Sequence, residues 1–274
     1  MSIPLEDLFN DVIAKAQRGL GLSDSRLAAQ SGLSVDEILD ARAGKADYAQ
    51  LLKLAPHLKL HGPSLVTMSH NAWRPVEVNL TGLAQFNTPW NDMTVNSYLV
   101  WDVETKNAAA FDTGANAGPM IEFIQKNHLN LSLIFLTHTH PDHIMDLAKL
   151  SVNGAVTTFV NERESCDGGK TFRIEDTESW QTGALKIEPR STWGHTKGGI
   201  TYIVSGLERP VAIVGDALFA SSMGGGLVSY ADALATNRQE IFTLPDNTVI
   251  CPGHGPMTSV GEEKARNPFY PEFK

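Results

Sequence analysis

The sequence predicts an α+β protein in which a small all-α module precedes a larger domain of mixed strands and helices. Three observations carry that prediction. Apolar residues recur at helical spacing up to residue 58, extended runs replace them from Val76 onward, and a histidine-rich turn separates a buried strand from a helix within residues 131–150. We place the boundary after residue 62, with a helical module over 1–62 and a second domain over 63–274.

A chain of 274 residues can bury a large core, and 42% hydrophobic with 19% charged residues fits a globular protein. No apolar run is long enough to cross a bilayer. A net charge of −9 and a pI near 5.4 argue against nucleic acid as the main partner. The N-terminal residues carry acids early and no basic segment leading into an apolar one, so no secretory signal is expected. Cys166 and Cys251 lie far apart and form no disulfide framework, which points to a reducing cytoplasm.

In chain order, Leu5, Leu8, Phe9, Val12 and Ile13 mark an amphipathic helix over 3–18, ended by Gly19 and Gly21. Ser23 to Ser25 can cap a second helix, and Ser34 with Glu37 matches a capping box for a third. A further helix is expected from about Asp47 to Leu58. The spacing of residues 26–39 resembles the helix-turn-helix of phage-repressor-like DNA-binding domains. Seven basic against eight acidic residues in 1–60 disfavour a phosphate-binding face, and a packing module, or one that pairs two copies into a homodimer, fits better. Residues 63–75 look like a linker. Val76–Leu80 alternates as a first strand, 82–94 reads as a loop, and 96–101 and 108–111 read as further strands. That loop, with Phe86 and Trp90, can either tuck onto the core or face a substrate. Later strands are expected near 156–160, 172–174, 185–188, 200–204, 211–214 and 248–251, with helices over 119–126 and 230–242.

The chemistry concentrates at T-H-T-H-P-D-H, residues 137–143. In an extended segment His138 and His140 point to the same side and can meet one cation. Pro141 re-aims the chain, so that Asp142 and His143 can address a second point close by. His195, Asp216 and His254 each lie beside an apolar strand in a glycine-containing turn. Together these are five histidines and two aspartates, enough for two metals if the carboxylate of Asp216 bridges them. Asp112, just past a strand, can either orient a ligand histidine or cap the helix that follows. The candidate substrate contacts on surrounding loops are Phe86, Trp90, Trp193, Lys197, Met223 and Tyr230.

The order T-H-T-H-P-D-H, G-H-T at His195, G-D at Asp216 and P-G-H-G at His254 resembles the metallo-β-lactamase superfamily from about Val76 onward, and its glyoxalase II-like branch in particular. The resemblance implies an αββα sandwich. It also implies His138, His140 and His195 on one metal, Asp142, His143 and His254 on the other, and Asp216 between them, with Asp142 as ligand or general base. The implied cofactor is two zinc ions per chain, with iron or manganese as alternatives. The implied activity is hydrolysis of a small acyl substrate, a thioester foremost, by a metal-bridging hydroxide. Persulfide oxidation at a single iron, and a DNA-binding regulator with a metal-containing sensor domain, are the competing readings.

Overall fold

The computed structural model describes residues 3–152 and 154–274. Five helices come first: α1 (Phe9–Gly19), α2 (Asp24–Ser31), α3 (Val35–Arg42), α4 (Tyr48–Leu54) and α5 (Gly62–Ser69). Ser23, Ser34 and Asp47 each accept a backbone N–H at the start of the helix they precede, satisfying donors that the first turn leaves free. The predicted capping box is present, with Glu37 returning a bond to the Ser34 N–H. Two expectations are corrected here. The first helix begins at Phe9 rather than residue 3, and α5 occupies much of the segment read as a linker, with Pro63 in its first turn, where a missing N–H costs nothing.

Among the described residues the remaining chain builds two six-stranded sheets. The first takes β1 (Leu83–Trp90), β2 (Met93–Trp101), β3 (Asn107–Phe111), β4 (Asn130–Phe135), β5 (Thr157–Asn161) and β6 (Lys170–Phe172) in sequential order. The second takes β7 (Trp180–Thr182), β8 (Leu185–Ser191), β9 (Ile200–Ser205), β10 (Val211–Gly215), β11 (Val249–Pro252) and β12 (Thr258–Ser259), again in order. Pairing is parallel from β3 to β6 and between β10 and β11, and antiparallel elsewhere.

Period-two alternation sorts the side chains into layers. Phe111, Phe135, Tyr202, Val204, Val211 and Ile213 fill the space between the sheets. Ala108, Ala110 and Ile134 face α6 (Gly118–Lys126) on the outside of the first sheet. Ile203, Ala212, Val214 and Ile250, on the outer face of the second sheet, share one apolar cluster with Val12, Ile13, Leu27, Leu51 and Leu58 of the N-terminal helices. The layers therefore run helix, sheet, sheet, helix, and the N-terminal helices supply part of the last one. No described helix is long and apolar enough to cross a membrane.

The loop expected at 82–94 is a hairpin, β1 and β2 turning through Asn91 and Asp92, with Asn91 at φ 51°. Val76–Leu80 is not a strand. Leu80 and Val78 reach the inter-sheet core, but the backbone joins no ladder; Val76 is exposed and its N–H donates to Glu262. The helix expected after Pro141 is two single turns, α7 (Pro141–Ile144) and α8 (Leu147–Leu150). The helix expected to reach residue 242 is α9 (Tyr230–Thr236), which widens into a π turn over Asn237–Ile241. The three-residue strand β7 is too short to show in the sequence pattern.

The last helix, α10 (Val260–Arg266), buries Glu263 completely. Its carboxylate accepts from the Ser221 N–H at 3.0 Å, Asn267 Nδ2 at 2.8 Å and the Thr258 hydroxyl at 2.9 Å. Burial pushes this acid up to about 7, against the pull of those three donors. A folded value above the ordinary 4.5 means that folding favours the protonated form, so its contribution to stability is complete below about 4.5 and is lost as pH rises through about 7. Gln at this position keeps the two oxygen-directed donors and lets the Thr258 hydroxyl accept. We expect urea midpoints to fall less between pH 5 and 8 for Glu263→Gln than for the parent. Equal slopes would show that Glu263 does not titrate in that window.

Close packing also fixes how the N-terminal helices sit. A Cβ on Gly19, at the end of α1, would overlap the Tyr230 ring at the start of α9. Gly19→Ala is expected to destabilise the fold by about 1–3 kcal/mol, the usual range for overpacking, read from denaturant unfolding.

Candidate metal centre

Four chain segments end together at one edge of the sandwich. The turn after β4 carries His138, His140, Asp142 and His143; the β8–β9 loop carries His195; Asp216 follows β10; His254 follows β11. Each segment follows a strand of one of the two sheets, and those before Asp216 and His254 are buried throughout, which places their turns rigidly. The Ile200 N–H donates to the Thr137 carbonyl across the two sheets and locks the first segment to the second. Gly253 sits against the cluster, where a Cβ would run into the Asp216 carboxylate and the His143 ring.

The seven predicted ligands are brought together in two groups. Ligand atoms of His138, His140, His195 and Asp216 all lie within 4.8 Å of one another, as do those of Asp142, His143 and His254. In the first group His140 Nδ1 is 3.1 Å from both His138 Nε2 and His195 Nε2, and His195 Nε2 is 3.3 Å from Asp216 Oδ2. In the second, His254 Nε2 and His143 Nε2 lie 3.4 and 3.7 Å from Asp142 Oδ2. Asp216 joins the groups: Oδ2 is 3.5 Å from His254 Nε2 and Oδ1 is 3.3 Å from His143 Nε2.

The second nitrogen of most of these rings is held from behind. His143 Nδ1 donates to Asp112 Oδ2 at 2.8 Å, His195 Nδ1 to the Gly225 carbonyl at 2.8 Å, and His254 Nδ1 to the Thr94 carbonyl at 2.7 Å. A ring whose Nδ1 carries the proton presents the lone pair of Nε2 to the cluster. His138 Nδ1 lies 3.1 Å from the Thr137 hydroxyl, which donates onward to Asp112. Asp112 therefore orients His143 and His138. It does not cap the following helix, whose first N–H, at Gly118, goes to the Asn116 side chain. Sequence reasoning missed Glu164, whose carboxylate accepts from the Thr139 N–H and hydroxyl and from the Gly198 N–H, and so clamps the first histidine turn to the His195 loop. It lies in a polar loop with no spacing relation to either partner.

Two buried atoms facing the cluster, His143 Nε2 and Asp216 Oδ1, have no hydrogen-bond partner. Leaving such atoms unpaired is costly, and a shared cation satisfies both. The electrostatics point the same way. Burial works against its charge, yet His254 and His143 hold Asp216 well below the usual carboxylate range. Against the same burial cost, the charges of Asp216 and Asp112 push His143 up to about 10, and Asp216 with Asp142 pushes His254 up to about 11. Burial, reinforced by His143, drives His138 well below its ordinary value. The carboxylates require positive charge among them, and the imidazole and carboxylate donors, with no thiolate, suit borderline or hard divalent cations.

The proposed substrate contacts fare unevenly. Phe86 stacks edge-on against Phe123, 5.7 Å between centroids, and so belongs to the layer outside the first sheet. Met223 is buried in the helical cluster, and Tyr230 packs over Gly19 and Phe269. These three are committed to packing, which their apolar bodies favour. Trp90 ends β1 half-buried, Trp193 is half-buried with its carbonyl bonded to the Thr236 hydroxyl, and Lys197 is exposed beside Glu162 and Arg163.

Comparison with known proteins agrees with this geometry. The model of the metallo-beta-lactamase superfamily matches residues 90–254. The chain belongs to that superfamily. Among its curated relatives is hydroxyacylglutathione hydrolase GloC of Haemophilus influenzae, 30% identical over 197 residues that span 64% of this chain and 92% of the relative. Among solved structures, the BLEG-1 B3 metallo-beta-lactamase aligns with a TM-score of 0.59 at 25% identity over 68% of this chain and 99% of its own. ETHE1 from Myxococcus xanthus aligns with a TM-score of 0.60 at 24% identity over 69% and 85%. The superfamily membership supports a metal-dependent hydrolase, and the His/Asp groups supply sites where divalent cations could bind.

Removing Asp112 should free the His143 ring. Asp112→Ala is expected to weaken metal binding about 10- to 100-fold, the usual effect of deleting an outer partner of a ligand histidine, measured by competition with a chromophoric chelator. His143→Ala should lose about one metal equivalent per chain.

Proposed function

We infer that the chain is a binuclear metal-dependent hydrolase of small acyl compounds, and that a thioester is its substrate. The observation that carries this is the carboxylate of Asp216, shared between two complete ligand groups. His138, His140 and His195 would hold one cation, Asp142, His143 and His254 the second, and Asp216 both. Zinc suits this donor set best, with iron or manganese as alternatives. A pair of bound divalent cations supplies a water acidic enough to attack at neutral pH and a Lewis acid for the substrate carbonyl.

The residues of the chain do the rest. Asp112, Gly225 and Thr94 keep the protons of His143, His195 and His254 on Nδ1. Asp142 is drawn below the ordinary carboxylate range, against its burial, by the neighbouring His254 and His143; it stays ionised and serves as ligand rather than proton carrier. Neither cysteine competes as a nucleophile. Cys251 is buried between the sheets with its thiol pushed well up by burial, and Cys166 is likewise raised by burial and by Asp167. Two His/Asp groups, with the Asp216 carboxylate within 3.5 Å of ring nitrogens in both, support hydrolysis over oxidation at a single iron. The named activity of GloC, hydrolysis of a hydroxyacylglutathione, directs the choice of substrate class to thioesters.

The deciding experiment is metal content per chain on protein purified without chelator, beside turnover of a panel of glutathione and other thioesters. We expect two equivalents and thioester cleavage. One iron per chain, no cleavage and oxygen uptake with a persulfide would replace the hydrolase with a dioxygenase.

A further inference from the structure

We propose that Lys15, paired with Asp7, is a positioning residue of the metal centre, and that the N-terminal helices act as its brace; this rests on the metal-centre reading above. The segment from Asp216 to Gly226 provides one ligand and supports two more. Asp216 opens it, the Gly225 carbonyl holds His195, and the Phe219 ring stands edge-on against His254 at 5.5 Å. Yet the segment contains Gly224, Gly225 and Gly226 in succession, which offer no side chains to pin it and a large backbone entropy to be lost on ordering. Glycine cannot be replaced at 224, where a Cβ would overlap the Asp216 carbonyl. The fixation must therefore come from outside the segment.

Asn237 holds the Ala217 carbonyl, and the rest comes from the two ends of the chain. From the C-terminal side, Glu263 accepts the Ser221 N–H, and Asn267 donates to the Ser222 carbonyl. From the N-terminal side, Lys15 on α1 donates to the Met223 carbonyl at 2.9 Å and pairs with Asp7 at 2.5 Å, and Asp7 accepts from the Ser222 hydroxyl. The ammonium also lies 5.1 Å from the centroid of the Phe219 ring. Both partners are largely buried, with side chains 16% and 9% exposed. A buried pair adds little net stability over an apolar one, but it is directional, and here each member bonds a neighbouring residue of the same glycine-ending segment. The same N-terminal stretch crosses the His254 turn, where a Cβ on Gly255 would meet the Glu6 backbone N at 3.2 Å. The superfamily match begins only at residue 90, so this brace is an addition to the shared fold.

The test uses full-length parent, Lys15→Met, and the double variant Asp7→Asn with Lys15→Met. The single change leaves the Asp7 carboxylate buried without its cation and is expected to lower the melting temperature. The double change removes both charges and should restore most of it. Zinc affinity is expected to fall about tenfold in both variants, as for loss of an outer partner of a ligand, and the visible spectrum of the cobalt(II)-substituted protein should shift, since it reports ligand geometry. A purely stabilising role would move melting alone: a double variant with parental zinc affinity and cobalt spectrum overturns the proposal. Failure of the parent itself to bind zinc or cobalt would sink the metal centre instead, which keeps the two outcomes separate.

Discussion

The constraint on which this structure turns is a single buried carboxylate. Asp216 is desolvated, faces four imidazoles, and keeps one oxygen without a hydrogen bond. A carboxylate in that position is stable only if positive charge lies beside it. Strands β4, β8, β10 and β11 bring their ends to it, and the glycine-bearing turns after β8, β10 and β11 let those segments approach the turn after β4. The αββα arrangement can be understood as the means of bringing those segments together: two sheets meet over an aromatic core, and their shared edge is where the polar groups collect.

Such a site needs more than donors in the right place, because imidazoles rotate and have two tautomers. Acceptors from four parts of the chain remove that freedom. Asp112 serves His143, and through the Thr137 hydroxyl it also reaches His138; carbonyls of Thr94 and Gly225 serve His254 and His195. Asp112 occupies the left-handed region, at φ 57°, a strained placement for a residue with a Cβ that the three donors around its carboxylate hold in place. Glu164 ties the two histidine loops to each other. The geometry of the cluster is thus set by bonds that no spacing among its histidines encodes.

That distinction explains what could be read from the sequence. The candidate metal-binding residues stand out in the sequence, because His138 to His143 are close neighbours and the other three lie beside apolar strands in glycine turns. Helix starts at Ser23, Ser34 and Asp47 were legible for the same reason: caps act within a few residues. Elements decided by distant partners were not. Val76–Leu80 alternates like a strand, yet its edge meets no ladder. The segment 82–94 looks like a loop until Asn91 and Asp92 are seen to turn a hairpin. Phe86, Met223 and Tyr230 sit in or beside loops, where functional residues concentrate, but the helical layers on both sides of the sandwich pack around them.

The N-terminal helices show the same principle at the scale of a layer. Their sequence resembles a helix-turn-helix, and α2 and α3 are two short helices joined through Gly32 in the left-handed conformation. A helix pair of this kind needs an apolar surface on which to bury its inner stripe. Here α2 and α3 pack on α1 and α4, and these helices share one apolar cluster with Ile203, Ala212 and Val214 on the outer face of the second sheet. Once the stripe is buried there, α1 lies against the segment that follows Asp216, and any polar group on that side of α1 must find a partner in it. Lys15 and Asp7 do so. A cover for one sheet thereby becomes a support for the charged cluster at its edge, since the chain that must be covered and the chain that must be held still are the same.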